Sequence, residues 1–177
     1  MVEVPPGVRL WLVRHGSTAW SEEGRLCGRS DVPLSPRGRF EVRALRDAAT
    51  RLTPAGVWSS HLRRARETAE LAGLSAVSDE RLRELDFGSL EGARWGDLPA
   101  AVREAMLVFD AFRAPGGESV SDLARRVEGF LDELAPGLHV LVTHGGVIRL
   151  LMRGRGPEAH VAPGGAIRLE AQPAARS

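Results

Sequence analysis

Short apolar runs alternate with amphipathic stretches along this chain of 177 residues. Val8 to Val13 (VRLWLV) is an almost unbroken apolar run that stops at Arg14-His15-Gly16, the pattern of a buried strand followed by a turn. Gly56 to Ser59 and His139 to Thr143 read the same way. Ala76 to Ser78 and Gly165 to Ala171 predict two further strands. Between these runs the spacing turns helical. Ser35-Pro36 supplies an N-cap followed by proline at the first helical position. Phe40, Val42, Leu45, Ala48, Ala49 and Leu52 then carry one helix to about Leu52. Thr53-Pro54-Ala55-Gly56 is a turn. Ser60 is read as the cap of a helix from about His61 to Ala72. Helices are also predicted from about Leu98 to Phe112, from Ser119 to Leu134 with Leu123, Val127 and Phe130 on one face, and from Gly146 to Met152. Arg83 to about Pro99 lacks clear periodicity and reads as an ordered loop.

Apolar strands alternating with amphipathic helices predict one α/β domain with a mostly parallel central sheet, spanning residues 1–177 without a linker or repeat. In such sheets ligands bind beyond the carboxyl ends of the strands. Three predicted strand ends carry reactive or cationic side chains: Arg14-His15-Gly16, Ser59 through Arg64, and Thr143-His144-Gly145-Gly146.

Composition removes several classes of chemistry. The net charge is +1, which makes no case for nucleic acid or a membrane surface as partner. No apolar run approaches the roughly 20 residues of a membrane span. The opening MVEVPPGVRLWLV lacks a cationic leader, so a cytoplasmic protein is expected. All 24 basic residues are arginine. Without lysine there is no Walker A loop, kinase-type lysine or Schiff-base chemistry. Cys27 is the single cysteine, so no internal disulfide forms, and Pro33 stands where a cysteine-phosphatase loop needs arginine. The five histidines show no metal-ligand spacing, and no metal is expected.

What remains suits a phosphate monoester. Transfer of its phosphoryl group needs a nucleophile, a clamp on the equatorial oxygens and an acid for the leaving alkoxide. Arginine's planar fork binds two oxygens at once. A neutral imidazole can attack phosphorus when its other nitrogen is held by an acceptor. Nearby arginines favour that neutral form. The sequence can supply His15 as nucleophile, Arg14 and Arg64 as clamp, His144 as a further donor and Glu84 as acid and later base, with Gly16 allowing close backbone approach.

LVRHGST at Leu12 to Thr18 resembles the signature of the histidine phosphatase, or phosphoglycerate-mutase-like, superfamily. RLCGRSDVPLSPRG at Arg25 to Gly38, SSHLRRARETAE at Ser59 to Glu70, LRELDFGSLEG at Leu82 to Gly92, PGGES at Pro115 to Ser119 and VTHGGVIR at Val142 to Arg149 are similar to its later segments, in the same order. The resemblance implies a three-layer α/β/α fold and no metal or organic cofactor. It implies His15 as the phosphohistidine, Arg14 as its phosphate-binding neighbour and Arg64, rather than Arg63 or Arg66, as the second clamp. It also implies Glu84, rather than Asp86 or Glu91, as acid/base, and His144 as the second histidine. Gly145, in the THGG match, is carried over as substrate-binding.

Two positions depart from the family pattern. Ser21 stands where many members have asparagine, and Cys27, before Gly28, stands where many have glutamine or serine. Ser21 is expected to donate a hydrogen bond to substrate, with shorter reach. Cys27 is a weak donor, so contact there is expected from the N–H groups of Cys27 and Gly28.

The leading expectation is a phosphatase acting on a small phosphomonoester. Its acidic loop resembles those of α-ribazole and broad-specificity phosphatases, and only the segment from Arg94 to Pro115 is available as a lid. The alternative is a phosphoglycerate mutase using the same residues with 2,3-bisphosphoglycerate as cofactor. A phosphate-binding scaffold without turnover is the third reading. Specificity is expected from loops between about Trp20 and Arg29 and between Leu90 and Gly117, with Trp20 and Trp95 on the pocket loops. His61, His139 and His160 are expected to be structural or exposed. The sequence does not choose between monomer and dimer.

Overall fold

A computed structural model describes residues 2–154 and 161–170. Five strands form one sheet in the order β3-β2-β4-β1-β5: β1 (Val8–Arg14), β2 (Gly56–Ser60), β3 (Val77–Asp79), β4 (Gly137–Thr143) and β5 (Ala166–Glu170). All neighbours run parallel except β5, which pairs antiparallel with β1. Alternate residues of β1 face opposite sides, as strand geometry requires. Leu10 and Leu12 enter a core shared with α6 (Val120–Leu131) and α7 (Gly145–Met152). Trp11 and Val13 enter another shared with α4 (Arg63–Leu71). Helical layers therefore cover both faces of the sheet.

The register positions the chemistry. Arg14 pairs with Thr143 at the ends of the two central strands, so His15 and His144 emerge side by side. The His15 N–H donates to the Thr143 carbonyl at 3.0 Å. On the other side of β4, Ser59 pairs with Val142, which brings the start of α4 to the same edge.

Several predicted elements are corrected. The helix expected from Ser35 to Leu52 is two pieces, α2 (Pro36–Arg43) and α3 (Arg46–Ala49), after the short α1 (Ala19–Glu22). At the join, Ala44 and Leu45 donate to carbonyls only three residues back, a tightened turn. Phe40, expected inward, is 76% exposed. Its helix presents Gly38 and Val42 to the loop after β1, where a Cβ on Gly38 would collide with Ser17, and this turns Phe40 to the far face. Ser60 closes β2 instead of capping α4. The helix starts at Arg63, whose N–H is taken by the Asp31 carboxylate at 2.6 Å. The helix expected over Leu98–Phe112 is the shorter α5 (Ala100–Val108). It ends at Phe109, whose φ of 71° and the Asp110-to-Val108 bond of 2.9 Å make a γ-turn. The loop after Arg83 is ordered and contains turns at Gly88–Leu90 and Trp95–Asp97. His160 and Ala171 lie outside the described residues.

Candidate active site

His15 is buried at the end of β1, its ring edge-on to that of His144 with centroids 5.0 Å apart. Its Nδ1 lies 2.7 Å from the Gly16 carbonyl oxygen. That oxygen can only accept, so Nδ1 carries the hydrogen and Nε2 keeps the lone pair. Burial, the Arg64 charge and the Arg14 charge, against the raising effect of the Gly16 hydrogen bond, push the imidazole pKa down to about 3. The ring is therefore neutral near pH 7. Burial, then Arg64 and His15, also hold His144 well below the usual histidine range.

The loop that carries His15 is clamped from outside. A Cβ on Gly16 would lie 2.5 Å from the Gly38 carbonyl, so only glycine lets α2 pack this close. The Gly16 N–H donates to Thr68 Oγ1 at 3.2 Å, and that hydroxyl donates to the Arg64 carbonyl at 2.7 Å. Thr68, one turn after Arg64 on α4, thus ties the His15 loop to the start of α4.

Arg64 is fully buried, whereas Arg63 and Arg66 are exposed. Its terminal nitrogens donate to the carbonyls of Ser30 (2.8 Å), Cys27 (3.1 Å) and Gly28 (2.8 Å). Arg14 donates to the Val161 carbonyl at 2.8 Å. Glu84 is buried against the first turn of α7. The Gly146 N–H reaches both its oxygens, at 3.1 and 3.0 Å, and the Leu85 N–H donates to Oε1 at 2.9 Å. Gly145, at the same helix start, packs on the Arg14 guanidinium.

Five buried side-chain nitrogen or oxygen atoms among the described residues have no hydrogen-bond partner: Arg14 Nε, Arg64 Nε, both ring nitrogens of His144, and Glu91 Oε2. Four of the five belong to residues grouped around His15. Orphan buried polar groups are costly in a folded protein unless a ligand supplies the partner.

The other expected contacts fall differently. The Ser21 hydroxyl closes a capping box, accepting from the Thr18 N–H at 2.9 Å and donating to the Thr18 carbonyl at 3.0 Å, so its hydrogen is committed inside the protein. The Gly28 N–H, expected toward substrate, donates instead to Glu91 Oε1 at 2.8 Å, since a carboxylate from the acidic loop sits against it. The Cys27 thiol turns toward the Ser30 carbonyl at 3.8 Å, and burial pushes its pKa up to about 11 despite Arg64 nearby.

A cavity of about 600 Å³ opens beside this cluster. Arg14, Glu84 and Gly145 line it, whereas His15, Arg64 and His144 do not. Its outer wall comes from the 106–112 segment and α7, inside one of the predicted specificity loops. Trp20 and Trp95 lie off it: the Trp20 ring faces Gly92, and Trp95 is on the surface. His61 is exposed, and His139 is a buried structural residue between the Trp58 indole (3.3 Å) and the Ala135 carbonyl (2.8 Å).

Sequence reasoning missed the residues that hold these groups. Arg126 donates to the carbonyls of Arg81, Arg83 and Glu84 and pairs with Glu118 at 2.9 Å. Glu118 also pairs with Arg83 at 2.7 Å and accepts from the Asp86 N–H at 3.0 Å. The signal was present, because Arg126 is a charge beside the apolar face of its helix. Glu91 holds the 28–30 loop by accepting from Gly28 and from Ser30, the latter at 3.0 Å. Among the described residues no helix is long and apolar enough to cross a membrane, and no three His, Cys, Asp or Glu side chains group as a metal site.

Residues 10–163 match the histidine phosphatase superfamily (branch 1). A protein of Salmonella choleraesuis (strain SC-B67) named Probable phosphoglycerate mutase GpmB is 36% identical over 150 residues, 78% of this chain and 70% of that one. The crystal structure of phosphoglycerate mutase from Thermus thermophilus superposes with a TM-score of 0.85 at 47% identity, covering 92% of each chain. A structure named Mycobacterial hydrolase 1 superposes at 0.77 with 30% identity, covering 90% of each.

Proposed function

The chain belongs to the histidine phosphatase superfamily, and from that premise we propose that it hydrolyses a small phosphomonoester through a phosphohistidine on His15. The observation that carries the reading is the set of unpartnered buried atoms on Arg14, Arg64 and His144 around a neutral imidazole. The two arginine Nε–H groups and the single N–H of the neutral His144 ring complement a phosphoryl group's equatorial oxygens. His15 Nε2 attacks phosphorus while the Gly16 carbonyl holds the Nδ1 hydrogen. Glu84 gives a proton to the leaving alkoxide. The resulting carboxylate then takes a proton from water, whose oxygen displaces His15 and releases inorganic phosphate. No step calls for a metal or organic cofactor.

A mutase reading is favoured by the names of the Salmonella and Thermus relatives. It uses the same first half-reaction and returns the phosphoryl group to a phosphoglycerate, with 2,3-bisphosphoglycerate as cofactor. The test is turnover of p-nitrophenyl phosphate in EDTA, set against isomerisation of 3-phosphoglycerate with and without 2,3-bisphosphoglycerate. Hydrolysis faster than isomerisation is expected. Isomerisation faster than hydrolysis would assign the mutase activity, and no turnover of any phosphomonoester would overturn the enzyme reading.

A further inference from the structure

The acid must touch the bridging oxygen of the ester, and whatever lies beyond that oxygen must occupy the space on the acid's far side. Glu84 and Arg14 line the 600 Å³ cavity, whereas His15 and His144 do not. Resting on the hydrolase reading above, we infer that this cavity holds the alcohol part of the substrate, and that this part is bulky, uncharged and largely apolar.

The wall sets the chemistry. Leu85 and Phe87 come from the acidic loop, Met106 and Phe112 from either side of the γ-turn, and Ile148 and Met152 from one face of α7. The two remaining arginines in the wall are engaged with the covering segment. Arg149 donates to the Met106 carbonyl at 2.8 Å and to the Leu107 carbonyl, and stacks on Phe109 at 4.5 Å. Arg153 pairs with Asp110. A carboxylate placed beyond the bridging oxygen would therefore lose water against thioether, aromatic and branched side chains, a heavy cost without a partner. The volume falls in the range of about 300–1,000 Å³ that encloses drug-sized ligands. A three-carbon acid would leave most of it unfilled, whereas a ring system would fill it.

The deciding comparison is 1-naphthyl phosphate against phenyl phosphate, whose leaving phenoxides are closely matched, with glycerol 2-phosphate and 3-phosphoglycerate alongside. The kcat/KM for the naphthyl ester is expected to exceed that for the phenyl ester by about tenfold or more, with 3-phosphoglycerate lowest. Met106→Gln, a partly buried position of similar size, is expected to narrow the naphthyl-to-phenyl ratio. Equal or reversed rates on the two aryl esters would overturn the inference and leave the hydrolase reading intact. Because that reading could fail separately, calorimetry with naphthylmethylphosphonate and methylphosphonate, which are not hydrolysed, tests the cavity alone. Binding of the naphthyl compound about tenfold tighter supports the apolar cavity whether or not turnover occurs. Equal affinity removes it.

Discussion

Replacing Gly146 by alanine should displace Glu84, the proposed proton donor, while leaving His15 untouched. Gly146 is the second residue of α7, and a Cβ there would overlap Glu84 Oε1 outright and lie 3.2 Å from its carboxyl carbon. Reaching ordinary contact distance moves the carboxyl group by about 1 Å. Such a shift in a positioned catalytic group costs on the order of 10²-fold, which is about 2.7 kcal/mol of transition-state stabilisation. The loss should depend on the leaving group. An alkyl phosphate needs its oxygen protonated as the bond breaks and should lose the full factor in kcat/KM. p-Nitrophenyl phosphate, whose phenolate leaves readily, should lose little. The comparison uses kcat/KM because that ratio reports steps up to phosphohistidine formation, ahead of hydrolysis of the intermediate. Alanine is a better helix former than glycine by about 1 kcal/mol, so a loss of fold is not the expected cause, and thermal unfolding checks this. Glu84→Gln keeps the shape without a transferable proton and should show the same leaving-group pattern. Equal losses on both esters in both variants would refute the assignment of Glu84 as acid.

Other predictions follow from the same geometry. Arg64→Lys should lower kcat/KM by at least tenfold and destabilise the protein by about 3 kcal/mol, because a single ammonium cannot serve three carbonyls and still face the phosphoryl group; unchanged urea unfolding would count against it. His15 is neutral in the fold with its pKa near 3 but near 6.5 when unfolded, so its contribution is complete above about pH 6.5 and is lost as pH falls toward 3, at about 1.4 kcal/mol per pH unit. The stability difference between wild type and His15→Gln should therefore shrink from pH 7 to pH 5, and a constant difference would contradict the buried neutral ring. Cys27, with its thiol pushed to about 11, should react with iodoacetamide at pH 7.5 about a hundredfold more slowly than the unfolded chain; rapid labelling of the native protein would show the thiol to be activated.

The centre of the sheet was legible because β1 and β4 are largely buried, and such strands write themselves as nearly continuous apolar runs. The ends of those runs located Arg14, His15, Ser59 and His144 before any contact was known, since parallel strands in register bring their carboxyl ends together. What escaped was set by partners distant in sequence. Asp31 caps α4 from a loop 32 residues away in the chain, so Ser60 had no need to. Phe40 faces outward because Gly38 must touch Ser17, a contact that the helical period alone does not contain. Ser21 and Gly28 were expected to face substrate on their chemistry as donors. Both donors are taken, one by a local capping box and one by Glu91, and a residue's capacity to bond does not reveal where the bond is already made.

The arrangement of Arg64 explains how a neutral histidine and an anion can share one buried site. A buried arginine is usually paired, because the cost of removing its charge from water must be offset. Had a carboxylate paired with Arg64, geometry would be fixed but its field at His15 would be largely cancelled. Here three backbone carbonyls fix the guanidinium, and among the described residues no carboxylate lies within ion-pair distance of it. Carbonyl dipoles hold the group without neutralising it, so its charge still lowers the His15 pKa and remains available to a dianion. The compensating carboxylate is moved one step away: Glu91 binds the amides of Gly28 and Ser30, in the same short loop whose carbonyls hold Arg64. The loop thus separates positive from negative by a peptide layer. Together with burial, the larger cause, that uncancelled field keeps the His15 ring unprotonated, and a neutral imidazole beside an unneutralised guanidinium is what the proposed phosphohistidine mechanism needs.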